Sequence, residues 1–202
     1  MLLFQSAIFD RANPTSYLSR LFDSAESQVL RLLSVLLVFA IGCKSAETTT
    51  APVDHAGMSE RQAEVADRGA MVMPFDLERT THVFSKESYG GLQKVVSDDG
   101  DKKQVALIRE HLSHEAERFA KGDFHDPSMI HGEHMAGLHQ LVMGHDKMTV
   151  EYSEIPEGAQ IIYRTDDPSM VEAIHQWFDA QVSDHGRHAV GKQEGMKEGR
   201  KE

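Results

Sequence analysis

Two short runs, Thr81-His82-Val83-Phe84 and Leu92-Gln93-Lys94-Val95-Val96, are strand-like, and Tyr89-Gly90-Gly91 between them is a turn signal. A helix is predicted next. From Lys102 to Phe119 the apolar residues Val105, Ile108, Leu112 and Phe119 fall on one face at helical spacing, and Asp99 or Asp101 is placed to cap the start. The same order returns later in the chain. Met148-Thr149-Val150-Glu151-Tyr152 and Gln160-Ile161-Ile162-Tyr163-Arg164 flank a turn at Pro156-Glu157-Gly158. The helix after them has Asp167 as its N-cap, Pro168 in its first turn, Val171, Ile174 and Phe178 on one face, and Gly186 at its end. Two hairpin-plus-helix units predict an α+β domain: an antiparallel sheet from two β-hairpins, each followed by a helix, with the helices on one face. Between the units, Gly122 to Gly144 reads as two short helical pieces, the first opened by Asp126-Pro127 and closed by Gly132.

Outward from this core the chain divides into four parts. Residues 71–190 form the single α+β domain, and residues 191–202, which alternate charge with glycine and carry only Met196 as a large apolar residue, read as a disordered charged tail. Residues 44–70 read as a flexible tether, including Thr48-Thr49-Thr50-Ala51-Pro52. A short helix over Ser59 to Asp67 has only Ala63, Val65 and Ala66 to bury. Residues 1–43 read as a leader and lipoprotein-type signal peptide. Arg31 precedes an apolar run, Leu32 to Gly42, broken only by Ser34. At 11 residues the run is too short for a membrane-spanning helix, which needs roughly 20, and fits the about 7–15 of a signal-peptide hydrophobic region. It ends in Ala40-Ile41-Gly42-Cys43, which resembles a bacterial lipobox with Ala40 where leucine more often stands. The expectation is export, cleavage before Cys43, lipidation of Cys43 and attachment to the periplasmic side of a bacterial membrane, with the membrane as partner. Asp10, Asp23 and Glu26 sit where such a leader is normally basic, which points to a true start near Val29 or Leu30.

Composition excludes several classes. With 21 basic residues against 32 acidic ones the net charge is −11, so a nucleic-acid partner is not expected, since phosphate neutralisation needs clustered Lys and Arg. One cysteine excludes an intramolecular disulfide framework and every zinc site built on several thiolates. No Gly-x-Ser-x-Gly elbow is present, and no His-Glu-x-x-His motif. An acid–base pair such as His131 with Asp126 or His185 with Asp184 is compatible with the spacing. So is an interaction module of the cell envelope without catalysis.

Three motifs carry a resemblance: Met71-Val72-Met73-Pro74-Phe75-Asp76-Leu77, Ile130-His131-Gly132-Glu133-His134-Met135-Ala136-Gly137-Leu138, and Trp177 to Gly186. Through these the chain, from about Met71 to Ala189, is similar to a family of small bacterial proteins that carry the label aspartate carbamoyltransferase. The resemblance implies carbamoyltransferase-type activity as that label states. The Ser-Thr-Arg-Thr phosphate loop and His-Pro motif of the transferase itself are absent, the nearest match being Tyr163-Arg164-Thr165.

The remaining chemistry lies in 12 histidines. On the first predicted long helix His111 borders the apolar face, with Glu115 four residues on. On the second, His175 flanks the stripe, His185 ends it and His188 follows. The middle segment adds His131 and Met135. If both helices pack on one face of the sheet and this segment crosses between them, His111, His131, Met135, His175 and His185 line one pocket with His188 at its mouth. Such a set fits a transition metal, copper or zinc, or a small ligand. Thioether donors, among which Met71 and Met73 also count, draw the preference towards Cu(I). Binding through neutral imidazoles then weakens as pH falls below about 6.5.

Overall fold

The alternation around Thr81 to Val96 builds the centre of a five-stranded sheet. The computed structural model describes residues 52–193, and the expectations for Cys43, the signal peptide and the last nine residues lie outside them. In chain order the elements are α1 (Glu60–Val72), β1 (Thr80–Glu87), β2 (Gly90–Ser97), α2 (Lys102–Phe119), α3 (His125–His131), α4 (Leu138–Met143), β3 (Thr149–Ile155), β4 (Gly158–Arg164), α5 (Pro168–His185) and β5 (Ala189–Gln193). The strands lie in the order β3-β4-β2-β1-β5. Both hairpins are antiparallel, they join through the antiparallel pair β2 and β4, and β5 alone runs parallel, against β1. The α+β class, with a helix after each hairpin, is as expected from the sequence.

The helices start where their caps allow. Asp101 accepts from the backbone N–H groups of Lys103 and Gln104, satisfying two of the orphan donors of α2. Asp167 does the same for α5 at Ser169, with Pro168 in the first turn, and Gly186 closes α5. Both helices then press apolar stripes onto one face of the sheet. Phe84, Val95, Ile161 and Tyr163 from the strands meet Ile108, Leu112 and Phe119 of α2 and Ile174, Trp177 and Phe178 of α5, all buried. Trp177 stands edge-on to Phe119, Phe124 and Tyr163 at ring separations of 6.0, 5.8 and 5.5 Å. Each such large side chain contributes roughly 1.5–3 kcal/mol by leaving water, and the edge-on ring pairs add to it.

Three local features differ from expectation. The first hairpin turns at Ser88-Tyr89, one step earlier than the glycines, and Gly90 and Gly91 belong to β2. Their role is close approach. A Cβ on Gly90 would lie 2.4 Å from the Tyr163 carbonyl oxygen, and one on Gly91 would lie 2.4 Å from the Phe178 ring.

In the stretch read as a tether, residues from Glu60 onward form α1. Ser59 and Gln62 make a reciprocal capping box, and Val65 is fully buried. The helix has few large apolar residues, so its period was weak. It docks through small residues that let it approach closely, and through Arg61 and Gln62, which bond to α5. At the other end, Gly191 to Gln193, assigned to the tail, continue β5. Ala189 buries itself beside His82, and the strand is recruited by backbone pairing to β1, which leaves little trace in side-chain pattern.

Candidate functional site

His82 and Phe84 occupy inward positions of β1, so a histidine faces the same interior as the aromatic core. On α2, His111 and Glu115 lie one turn apart and turn inward beside Leu112. The α3 helix brings His131, whose position is set by Gly132, a positive-φ residue (φ 87°) that ends the helix. His185 closes the last turn of α5. These side chains, with Gln93, Asp126, Trp177 and Gln181, line one cavity of ≈ 40 Å³. A buried water needs at least about 10–15 Å³, so the space admits two or three water-sized groups.

The rings are ordered by contacts. His82 stacks on His185 with centroids 5.1 Å apart and planes within 5°, and His131 stands edge-on to His185 at 4.8 Å. His111 packs edge-on against Phe75 at 5.6 Å. His131 donates from Nδ1 to Asp184 Oδ2 at 2.9 Å, and Arg61 holds the same carboxylate at 2.6 Å while also donating to the His131 carbonyl at 2.7 Å. His188 sits just behind, donating to Glu78 at 3.1 Å. Its backbone forms a hydrogen bond with the His82 ring. His82 Nδ1 has no hydrogen-bond partner. The only other buried side-chain nitrogen or oxygen without a partner, among the described residues, is Trp177 Nε1. Both side chains line the cavity.

Near pH 7 the cavity imidazoles are uncharged. Burial pushes His82 down to about 3 and His111 down to about 4, and it pulls His185 well below the usual imidazole value. Burial lowers His131 as well, although the bond to Asp184 opposes it. Glu115 moves the other way. Burial, then the adjacent charge of Asp126 and a hydrogen bond between the two carboxyl groups, raise it to about 8. It is therefore a carboxylic acid, not a carboxylate, at neutral pH. Arg118 bridges this pair, at 3.2 Å from Glu115 and 2.8 Å from Asp126.

Of the six residues expected to share a pocket, three line the cavity: His111, His131 and His185. His188 adjoins it through Glu78 and the His82 ring. His175 does not belong: its Nε2 lies 3.0 Å from the Glu87 carbonyl oxygen and 2.9 Å from that of Gly90, and it ties α5 to the first hairpin. Met135 is buried in the core and lines a separate surface hollow with His134 and His139. Met73 reaches the cavity, whereas Met71 is exposed. Among the described residues, no group of three or more His, Cys, Asp or Glu is arranged to hold a metal ion. The stacking explains this, because rings packed face to face and edge to face do not aim their lone pairs at one point.

Sequence reasoning missed His82, Trp177, Gln93 and Gln181 as parts of the site, whereas Asp126, named there as an acid–base partner for His131, lines the same cavity. For His82 a signal existed: it shares parity with Phe84 along β1. For Asp184 the partner was wrong, since the acid beside His185 in sequence serves His131 in space. Compared with known proteins, the chain matches no family model, no curated protein and no solved structure.

Proposed function

We propose that this is an exported envelope protein, held at the periplasmic side of a bacterial membrane by lipid on Cys43, whose domain binds a small ligand in the histidine-lined cavity. One observation carries the binding half: His82, His111, His131 and His185, from four separate elements, line a single interior space. Hydrophobic side chains would fill such a space with less cost than imidazoles, which must be desolvated. The location half rests on the Leu32 to Gly42 run and the Gly42-Cys43 pair.

Carbamoyltransferase activity is a poorer fit. Its phosphorylated substrate needs fixed cations, and no Lys or Arg lines the cavity, where Glu115 and Asp126 supply the acidic groups. A docking role without a ligand is also a poorer fit. Among the described residues the exposed large apolar ones, Met71, Met129, Met143 and Val190, lie on four different elements, a distribution that needs no partner to explain it. A second reading is a transition-metal ion, copper or zinc, favoured by the Nδ1 of His82, which has no hydrogen-bond partner.

The test is thermal unfolding of the full-length protein in detergent against Cu(I), Zn(II) and a panel of neutral, anionic and cationic small molecules. A ligand at a hundred times its Kd adds about 2.7 kcal/mol, a shift of several degrees. That shift is expected for at least one ligand and is expected to vanish in His185→Phe, which fills the cavity. Flat melting temperatures throughout, with no ligand moving the Trp177 indole signal, overturn the reading.

A further inference from the structure

Among the described residues, the helices cover one face of the sheet and leave the other bare. Residues alternate between faces along a strand, so with His82 and Phe84 turned inward, Val83, Ser85 and Glu87 of β1 stand outward, and the register carries this order across the sheet. Both α2 and α5 lie against the inner face, while α1, α3 and α4 pack on other helices. On the outer face stand six apolar residues, Val83, Leu92, Val96, Ile155, Ile162 and Val190. None of them belongs to the core or packs against it. Val190 is exposed and the other five are half-buried. An apolar surface of this kind marks a contact site. The chain has little of its own to cover it: residues 44–51 and 194–202 hold Met196 as their only large apolar residue, and the Leu32 to Gly42 run leaves with the signal peptide on the processing proposed above.

We propose that this face joins two copies of the chain, stacked about 10 Å apart and related by a two-fold axis that lies between them along β2. Charge selects that axis. It exchanges β1 with β4 and β5 with β3, and it keeps each row of the register in place. In one row β1 carries Glu87 and β4 carries Arg164, so each Glu87 comes opposite Arg164 of the second copy. In the next row β5 carries Lys192 and β3 carries Glu151, which also come opposite each other. Arg164 and Glu151 are 3.6 Å apart within the chain, so the charges alternate in sign across the interface. An axis across the strands would set Glu87 opposite Thr81 and Lys192 opposite Val190, with no charge answered. Leu92 and Val96 fall on the chosen axis and meet themselves, as does Lys94, whose self-repulsion is the one cost. The result is an apolar centre with a charged rim. Five strands about 4.8 Å apart, with residues advancing about 3.3 Å, give a face of roughly 600 Å² per copy, the lower end of the range for specific pairs.

The test is sedimentation equilibrium of protein expressed from the full chain and purified in density-matched detergent. A dimer is expected, with a Kd on the order of 10 μM for an interface of this size. Glu87→Arg and Arg164→Glu, both outside the core, should each weaken it at least tenfold, because each variant sets like charges together in its own dimer. Mixing the two variants should restore association, since both facing pairs in the mixed dimer are again opposite in sign. Lys94→Met should tighten the dimer by removing the repulsion on the axis. A monomer up to about 100 μM, ten times the expected Kd, overturns the proposal, whether the face stays bare or the chain itself covers it. A dimer indifferent to the charge exchange overturns it as well, and self-association through the Leu32 to Gly42 run would show itself in that way. The cavity lies on the inner face, so ligand binding there can fail without touching this result.

Discussion

His131 and Asp184 lie 53 positions apart in sequence, and their side chains meet at 2.9 Å, with the imidazole donating to the carboxylate. The bond fixes the tautomer, since a carboxylate only accepts, and leaves the other ring nitrogen unprotonated in the neutral imidazole. Arg61 completes the relay from the opposite side. Burial alone would raise Asp184, but the bonds from Arg61 and His131 hold it below its ordinary value. Three helices, α1, α3 and α5, are thereby joined at one edge of the cavity.

Asp184→Ala leaves the buried His131 N–H without its acceptor and frees Arg61 from its strongest partner. A loss of about 1–3 kcal/mol is expected in urea unfolding, and Asp184→Asn, which retains an acceptor, should lose less. Equal losses for the two variants would show that packing, not the hydrogen bond, is what the side chain supplies.

Stability should follow pH with two opposed limbs. The four cavity imidazoles have folded values below the unfolded value of about 6.5, so their contribution is complete above pH 6.5 and is lost as pH falls below it. Glu115 is raised from 4.5 to about 8, so its contribution is complete below pH 4.5 and is lost as pH rises towards 8. Four groups outweigh one between pH 4.5 and 6.5. Stability should therefore climb to about pH 7, where each unfolded imidazole is about a quarter protonated and the four together balance the one proton on Glu115, and then fall gently, by about 0.5 kcal/mol per unit, towards pH 8. Urea midpoints across this range check the shape, and Glu115→Gln should flatten the upper limb alone.

Gly137 has a φ of 76°, and a Cβ there would stand 2.1 Å from the Ala173 carbonyl oxygen. The glycine lets the chain between α3 and α4 rest directly on the backbone of α5. Gly137→Ala should cost roughly 2 kcal/mol or more, combining a strained backbone with overpacking, as measured by chemical denaturation. Gly100→Ala makes a useful comparison. It shares a positive φ of 68° but has open space around it, so only the conformational part of the cost should remain.

Processing before Cys43 is checked by mass spectrometry of the mature protein. The expected species begins at Cys43, carries lipid and fractionates with membranes, whereas Cys43→Ser should remain uncleaved or be released. A mature protein beginning elsewhere without lipid removes the anchor.

Much of the fold was legible because strands and caps announce themselves locally. Asp101, Asp167-Pro168 and Gly186 each act within one helical turn, where short-range chemistry decides. The site was legible in part. His111, His131 and His185 were traced to one space by asking which helix faces the sheet presents, but helical spacing specifies a face and not a neighbour. His175 shares its helix with His185 and yet bonds to the first hairpin, ten residues and nearly three turns away. Met135 was placed by type rather than by position, and its thioether went to the core. The α1 helix was legible only as a short piece over Ser59 to Asp67 within a tether, because its docking comes from small residues and charged arms. For β5, the informative partner was a backbone more than a hundred residues upstream.

That parallel strand also orders events in time. Each hairpin and its helix can form from contacts within a few dozen residues, whereas β1 acquires its second neighbour only when Ala189 reaches His82. Closing so long a loop is slow, and contacts that depend on it come late. A chain that stops short of Ala189 keeps both hairpins, both long helices and His185, and what the last strand adds is the second neighbour of β1, set beside His82.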